Sequence, residues 1–275
     1  MVELPEALLL SKQMNEELTG KNIDGVYIDN YKPTTFFLNV SIEEFRDRVT
    51  NCSINSVYCK GKWIYVKLNS DQIFATAPEM GGNILYHNDQ SSKSDNYHFK
   101  FVFDDGSSLT LKYHGFIFAR LGTEKELELE KYPGKIGPTP LDKEFLFEDF
   151  SKLLSENNKM VKAILLEHQN LPGVSNFYLN EALFKSRIHP KRKANSISID
   201  EQKLLFESIR ETLQDAFDAN GRIERKDLHG VKGRYERSLH SKSVGKPCPI
   251  CGRLITKINV AGTNSYICEE CQKLE

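Results

Sequence analysis

The order of apolar and polar positions divides the chain into a β-rich first half and a helical second half. At the N-terminus, residues 3–18 place their leucines and Met14 on one side at helical spacing, which predicts an amphipathic helix that stops at Gly20. Short apolar runs separated by turn residues follow, a pattern typical of an antiparallel sandwich or barrel. These predicted strands cover residues 25–28, 36–40, 54–59, 63–68, 72–76, 97–103 and 108–113.

A segment dense in Pro and Gly, residues 131–140, marks the change between the two halves, since both residue types interrupt helices and strands. Beyond it the apolar positions return to helical periodicity. Ser198 and Glu201 have the spacing of a capping box at the start of the last helix, and Gly221 is placed to end it. The predicted helices cover residues 145–156, 159–168, 176–187 and 199–220.

Composition and charge narrow the classes of function. Hydrophobic residues make up 39% and charged residues 27% of the chain, and neither a membrane-length apolar run nor a signal peptide is present, so we expect a cytoplasmic protein without a membrane partner. The net charge of -1 conceals a basic stretch between Arg222 and Lys257, where ten Lys and Arg face three acids. Such segregation favours a polyanionic partner, although a solvated basic face would give the same count.

Four cysteines near the C-terminus carry the most specific spacing in the chain. Cys248 and Cys251 are followed after sixteen residues by Cys268 and Cys271, which is the arrangement of a four-thiolate zinc ribbon. Because four protein ligands leave no open coordination position, we predict a structural Zn²⁺. A redox pair or unmetallated thiols is the alternative.

Taken together, these features resemble the formamidopyrimidine-DNA glycosylase and endonuclease VIII family. The strongest local match runs from Pro172 to Pro190 and is similar to the family's helix-two-turn-helix, while residues 136–141 match its interdomain segment. The resemblance implies an α+β multidomain fold, with an N-terminal helix and antiparallel β-sandwich before a helix-two-turn-helix domain and a C-terminal zinc ribbon. The predicted domains are residues 1–131 for the β-sandwich, 132–142 for a linker, 143–240 for the helix-two-turn-helix domain and 241–275 for the zinc ribbon.

The resemblance also implies a catalytic N-terminus. In the family an N-terminal proline, exposed by removal of Met1, attacks C1′ of a damaged nucleotide, which expels the base and forms a Schiff base. Elimination then cleaves the strand. Val2 occupies that position here, and it supplies a primary amine if Met1 is removed. The resemblance places the proton donor at Glu3, a supporting carboxylate at Glu6 and a DNA-reaching lysine at Lys62. Without it, Glu3 would be a first-turn acid and Lys62 a surface lysine.

The DNA-binding positions are partly altered relative to the family. Asn176, which leads a predicted helix, matches a phosphate clamp, although a plain helix N-cap would look the same. Met80 matches the family's first void-filling residue and Phe116 matches its aromatic wedge, although either could be an ordinary core residue. His114 stands where an arginine is usual, and Thr263 stands where a phosphate-binding arginine is expected.

Three hypotheses remain from the sequence. The leading one is a monomeric base-excision repair glycosylase with abasic-site lyase activity through the Val2 amine. Relaxed demands on the opposite strand would account for the altered DNA-binding positions. The alternative is a catalytically inactive family member that binds damaged or distorted DNA. A zinc-ribbon interaction protein unrelated to DNA would fit the cysteines but leaves the basic stretch unexplained.

Overall fold

A computed structural model describes residues 2–29, 36–78, 82–89 and 96–274. The chain forms two compact units, and the first is discontinuous: Met1–Ile136 joins with Phe217–Arg234, while Gly137–Ala216 joins with Tyr235–Glu275. The domain boundaries predicted from the sequence, at residues 131, 142 and 240, do not include a segment that returns to the first unit. Those boundaries stay a prediction. Within the described ranges, every helix is too short or too polar to cross a bilayer.

Helix α1, Leu4–Leu18, opens the first unit, one residue shorter than the helix that the sequence predicts. Its apolar stripe is buried because Leu4, Leu10, Met14 and Leu18 recur on one face. The helix packs against strands β3 and β4, Ile54–Lys60 and Trp63–Leu68. Two further short helices belong to this unit: α2, Ile42–Val49, and α3, Glu124–Leu129.

Two antiparallel sheets face each other across the core of the first unit. The remaining strands are β1 (Ile23–Ile28), β2 (Phe36–Leu38), β5 (Ile73–Ala77), β6 (Asn83–His87), β7 (Phe99–Phe103), β8 (Ser108–Lys112) and β9 (Ile117–Gly122). Their orders are β1-β7-β8-β6 and β2-β9-β5-β4-β3, in which the β2 and β9 pair alone is parallel among the described strands.

Aromatic rings join the two sheets. Phe74 on β5 lies 5.5 Å from Phe101 on β7, and Phe45 of α2 lies 5.4 Å from Phe74, measured between ring centroids. Val2 belongs to the same apolar cluster. The N-terminus is therefore part of the sandwich core and does not trail into solvent.

The second unit is helical and carries a two-stranded ribbon. Its helices are α4 (Phe147–Ser155), α5 (Val161–Leu165), α6 (Asn176–Lys185) and α7 (Ile199–Asp218), and its strands are β10 (Thr256–Val260) and β11 (Thr263–Ile267). The last two residues of α7 fall in the return segment of the first unit. The predicted capping box at α7 is confirmed, because the Ser198 N–H donates to Glu201 at 2.8 Å and the Glu201 N–H donates to Ser198 Oγ at 3.4 Å.

Candidate functional site

The first two residues after Met1 lie at the buried start of α1. Val2 is 3% exposed, and its backbone nitrogen donates to the carbonyl of Pro78 at 3.0 Å. Glu3 and Glu6 close a reciprocal capping box: the Glu3 side chain accepts from the Glu6 N–H, and Glu6 Oε2 accepts from the Glu3 N–H at 3.0 Å. Both carboxylates therefore help to fix the N-terminal end of α1.

A buried arginine from the far end of the chain meets these carboxylates. Arg222 Nη1 lies 3.5 Å from Glu3 Oε1, and Arg222 Nε lies 3.9 Å from Glu6 Oε1. The Arg222 N–H also donates to Glu6 Oε1 at 3.3 Å. Burial of these two carboxylates and the guanidinium is unfavourable, because all three lose their hydration. Their pairing with one another offsets that cost and allows the charges in the core.

The return segment that carries Arg222, Phe217–Arg234, contains two glycines at positions where a side chain would not fit easily. Gly221 has a φ of +81°, and a Cβ on it would lie 3.1 Å from Glu6 Cγ. A Cβ on Gly233 would lie 2.2 Å from the Gly221 carbonyl oxygen, a distance that no side chain can occupy. The close backbone approach of these two positions therefore sets where Arg222 enters the cluster.

Lys62 lies in the two-residue turn between β3 and β4, where Gly61 takes a φ of +57°. Strands β4 and β5 pair Ile64 with Thr76. The same register, continued for two residues, would place Lys62 opposite Pro78, the residue that accepts the Val2 hydrogen bond. The predicted catalytic lysine and the N-terminus thus belong to the same end of this strand pair.

The loop between β8 and β9 presents two of the predicted DNA-binding residues. Buried Tyr113 anchors it, because its hydroxyl hydrogen-bonds Thr76 and its N–H donates to His98 Nδ1 at 3.1 Å. His114 is exposed, and Phe116 is 53% exposed. Phe116 is therefore not a core residue. Met80, the predicted void-filling residue, lies outside the described residues.

Asn176, the predicted phosphate clamp, is the first helical residue of α6, and Ser175 takes the N-cap position. Its side-chain amide donates to the carbonyl of Asn264 at 3.1 Å, and Asn180 donates to the same oxygen at 3.2 Å. Lys162 approaches that oxygen at 3.4 Å and donates to Ser265 Oγ at 2.6 Å. Three side chains thus converge on one carbonyl beside the N-terminus of a helix, a place that favours anions.

Lys162 is fully buried in this convergence. Burial lowers the pKa of its ammonium group to about 8. A lysine without exposure is uncommon in a protein interior, and here it puts a cation directly behind Asn176 and Asn264. The sequence does not single out Lys162, since one lysine in an amphipathic segment gives no distinguishing signal.

Arg237 adds a second cation near the same helix. Its guanidinium lies 4.4 Å from the ring centroid of Phe177 and 5.5 Å from that of Tyr266. Thr263, where the resemblance leads one to expect an arginine, donates its hydroxyl to the Val260 carbonyl at 3.1 Å and so stabilises its own hairpin. Lys162 and Arg237 instead contact the residues that follow Thr263 on β11: Lys162 contacts Asn264 and Ser265, and Arg237 lies over the Tyr266 ring.

The four cysteines gather at the base of the ribbon. The sulfurs of Cys248, Cys251, Cys268 and Cys271 all lie within 4.8 Å of one another. Four thiolates bound about 2.3 Å from a tetrahedral ion would have sulfurs at comparable separations, so this donor set fits Zn²⁺. Gly252, with a φ of +78°, shapes the first knuckle. The predicted structural zinc site is confirmed by this clustering and by the family match reported below.

The two units define a class of protein: a β-sandwich with a buried, acid-flanked N-terminus, linked in sequence to a helical unit with a four-thiolate zinc ribbon. Residues 1–114 match the formamidopyrimidine-DNA glycosylase N-terminal domain, residues 136–227 match its H2TH domain, and residues 245–274 match the zinc finger found in FPG and IleRS. The chain belongs to the formamidopyrimidine-DNA glycosylase family, which confirms the family and the fold class predicted from the sequence.

Individual relatives cover the full length. The chain is 32% identical to the formamidopyrimidine-DNA glycosylase of Mycoplasma mobile, over 100% of both chains, and 30% identical to that of Protochlamydia amoebophila, over 99% of this chain and 100% of the relative. Among solved structures, it resembles the Lactococcus lactis Fpg in complex with abasic-site DNA, with a TM-score of 0.87, 25% identity and coverage of 98% and 99%. A complex of that protein with N7-benzyl-Fapy-dG DNA gives a TM-score of 0.88 at 26% identity.

Proposed function

We propose that this chain is a DNA base-excision glycosylase with abasic-site lyase activity, and that the amine of Val2, exposed by removal of Met1, attacks C1′ of a damaged nucleotide. The observation that carries the proposal is the fixed position of the Val2 nitrogen, 3.0 Å from the Pro78 carbonyl and one residue from a buried carboxylate. An N-terminal amine has a pKa of about 7.7 to 8.0, so a useful fraction is unprotonated near neutral pH.

In this mechanism the nitrogen forms a bond to C1′ as the bond from C1′ to the base breaks. Glu3 donates a proton to the sugar ring oxygen as the ring opens, which leaves a Schiff base between Val2 and C1′. A proton is then lost from C2′ as the 3′ phosphate leaves, so this elimination cleaves the strand. Water finally hydrolyses the Schiff base and releases the sugar remnant from the amine. Glu6 holds the helix start through the capping box, and Lys62 approaches the DNA from the adjoining turn.

DNA binding is assigned to residues on both units. Phe116 and His114 project from the β8 and β9 loop, and Asn176 and Thr263 lie near the α6 N-terminus and the ribbon. We assign Met80 to void filling on the family match alone. Lys162 and Arg237 supply positive charge where the family arginine is replaced by Thr263.

The proposal is tested by borohydride trapping on oligonucleotides that contain an abasic site. The wild-type chain and Val2→Ala should both form a covalent adduct, because a small second residue permits Met1 removal. Val2→Leu should retain Met1 and form none, since the reactive nitrogen would then move by up to about 3.8 Å. Intact mass shows the state of Met1 in each preparation. An adduct from protein that retains Met1, or no adduct from any preparation, would contradict the mechanism.

A second function, binding of damaged DNA without cleavage, is favoured by one feature. The Glu3 side chain is already held by Arg222 at 3.5 Å and by the Glu6 N–H, so it would have to leave these contacts to reach a sugar. This function predicts salt-dependent binding to abasic DNA with no trapped adduct and no strand cleavage, in both single-stranded and duplex substrates.

A further inference from the structure

A row of four aromatic side chains that begins with Phe116 lies on the outer face of the five-stranded sheet. It consists of Phe116, Phe37, Phe118 and Tyr132, here called the aromatic platform. Phe37 lies 5.9 Å from Phe116 and 5.2 Å from Phe118, and Phe118 lies 5.5 Å from Tyr132, all between ring centroids. The rings therefore form a continuous path that starts at the predicted wedge residue.

The aromatic platform is exposed in a way that ordinary core aromatics are not. Phe116 is 53%, Tyr132 43% and Phe37 37% exposed. Among the described residues four large aromatic side chains are exposed, and three of them belong to the platform; the fourth, Tyr27, is on the other sheet. Contiguous exposed apolar surface on a soluble protein usually marks a binding site.

The strand that carries Phe37 is held by polar contacts on either side of the platform. Asn39 exchanges two hydrogen bonds with the Leu121 backbone, at 3.0 and 2.9 Å, and Arg120 donates to the Phe37 carbonyl. The edge strand is thus fixed without covering the Phe37 ring. A rigid ring face binds at a lower entropic cost than a mobile one.

The chemistry of the platform fits unpaired nucleic-acid bases. Every base has a π-face, and successive bases stack on exposed aromatic rings without base-pair partners. Lys131 lies 5.6 Å from the Tyr132 ring centroid and offers a cation for the phosphates beside a stacked base. In the same loop, His114 stands where the family resemblance leads one to expect an arginine.

We propose that the aromatic platform binds unpaired bases next to the lesion, so that this chain acts on lesions in single-stranded or locally unpaired DNA. The inference rests on the proposed function, because it takes Phe116 as a DNA contact. It goes further in naming the state of the substrate and in assigning Phe37, Phe118 and Tyr132 to its recognition.

The test compares full-length, zinc-loaded protein on one oligonucleotide with a central tetrahydrofuran abasic analogue, single-stranded or annealed to its complement. Phe37→Leu keeps apolar bulk in the edge strand but removes the ring, and Phe37→Trp restores a ring. Tyr27→Leu is the matched control on the other sheet. Binding is measured by fluorescence anisotropy, and thermal melting checks that each variant is folded.

Loss of one stacked base should weaken single-strand binding of Phe37→Leu by between about 5-fold and about 100-fold. Duplex binding should change little, Phe37→Trp should bind single strands as the wild type does, and Tyr27→Leu should match the wild type on both. Unchanged single-strand binding by Phe37→Leu, or an equal loss on both DNA forms, would overturn the platform.

Borohydride trapping on the same sequences, with a true abasic site in place of the tetrahydrofuran analogue, separates this inference from the proposed catalysis. The exchange is needed because tetrahydrofuran has no C1′ aldehyde and cannot form a Schiff base. If no DNA gives an adduct but Phe37→Leu loses single-strand binding selectively, the platform stands and the Val2 mechanism fails. If adducts form and Phe37→Leu binds single strands like the wild type, the mechanism stands and the platform fails.

Discussion

Replacing Lys162 with Met should make the protein more stable near neutral pH, although it removes two hydrogen bonds. Lys162 is fully buried, and burial lowers its pKa from 10.5 to about 8. The folded state therefore holds the charged form less favourably than the unfolded state does, by roughly 3 kcal/mol. Met has a similar length and no charge, and loss of the contacts to Ser265 and Asn264 costs about 1 kcal/mol each. The net gain at pH 7 is about 1 kcal/mol.

The sign of this effect depends on pH in a specific way. Below pH 8 the lysine is protonated in both states, so the wild type bears the full penalty. Between pH 8 and 10.5 the folded state releases its proton while the unfolded state keeps it, and the stability of the wild type rises relative to Lys162→Met. By pH 10 the penalty falls to about 1 kcal/mol, and the variant should then be the less stable protein.

Urea denaturation at pH 7, 8, 9 and 10 measures this difference directly. Lys159→Met is the matched control, because Lys159 is 63% exposed and forms only a surface ion pair with Glu167 at 3.5 Å. DNA binding by Lys162→Met at pH 7 should weaken, since the charge behind Asn176 is gone. A variant less stable than the wild type at pH 7, or a stability difference that does not change with pH, would refute the reasoning.

Three further predictions follow from the buried cluster, the glycine pair and the zinc site. Arg222→Met leaves the Glu3 and Glu6 carboxylates without that cation and should lower the free energy of unfolding by about 3 to 5 kcal/mol. The control Arg48→Met removes a more exposed ion pair with Glu44 and should cost less than about 1 kcal/mol. Similar losses in the two variants would exclude a special role for Arg222. Gly233→Ala should destabilise by about 1 to 3 kcal/mol or more, and Gly137→Ala, where a Cβ meets nothing within 4 Å, should be nearly neutral in the same melting assay. Metal analysis should find one zinc per chain, and its chelation should expose the four cysteine thiols to a thiol reagent; thiols equally reactive before chelation would argue against the site.

The sequence predicts elements well where local signals act alone. Helix α1 differs by one residue from its prediction because Thr19 and Gly20 end a clear apolar stripe, and the ribbon follows from the cysteine spacing. Helix α2 has no counterpart among the predicted elements, although Ser41 caps it by accepting from the Glu44 N–H at 3.0 Å. Its charged sequence buries only two residues, Phe45 and Val49, so periodicity gives little signal.

The candidate site exposes the limit of sequence reasoning more clearly. Arg222 and Arg225 count toward the basic stretch that favours a polyanionic partner, yet both are buried in the first unit. Arg222 neutralises carboxylates 216 and 219 positions away, and no local pattern encodes such a contact. The burial of Lys162 likewise depends on the ribbon residues Asn264 and Ser265, which lie more than 100 positions away.

The discontinuity of the first unit has a consequence for biosynthesis. The ribosome releases α1 first, but the guanidinium that meets Glu3 and Glu6 is translated more than 200 residues later. Domains usually fold in the order in which they are synthesised. The first unit, however, can complete the cluster of Glu3, Glu6 and Arg222 only after its return segment emerges from the ribosome. Because Val2 is 3% exposed in the folded chain, the Val2 mechanism proposed above favours removal of Met1 from the nascent chain before the return segment folds against α1. The order of processing and folding would then decide what fraction of the molecules carries a usable amine.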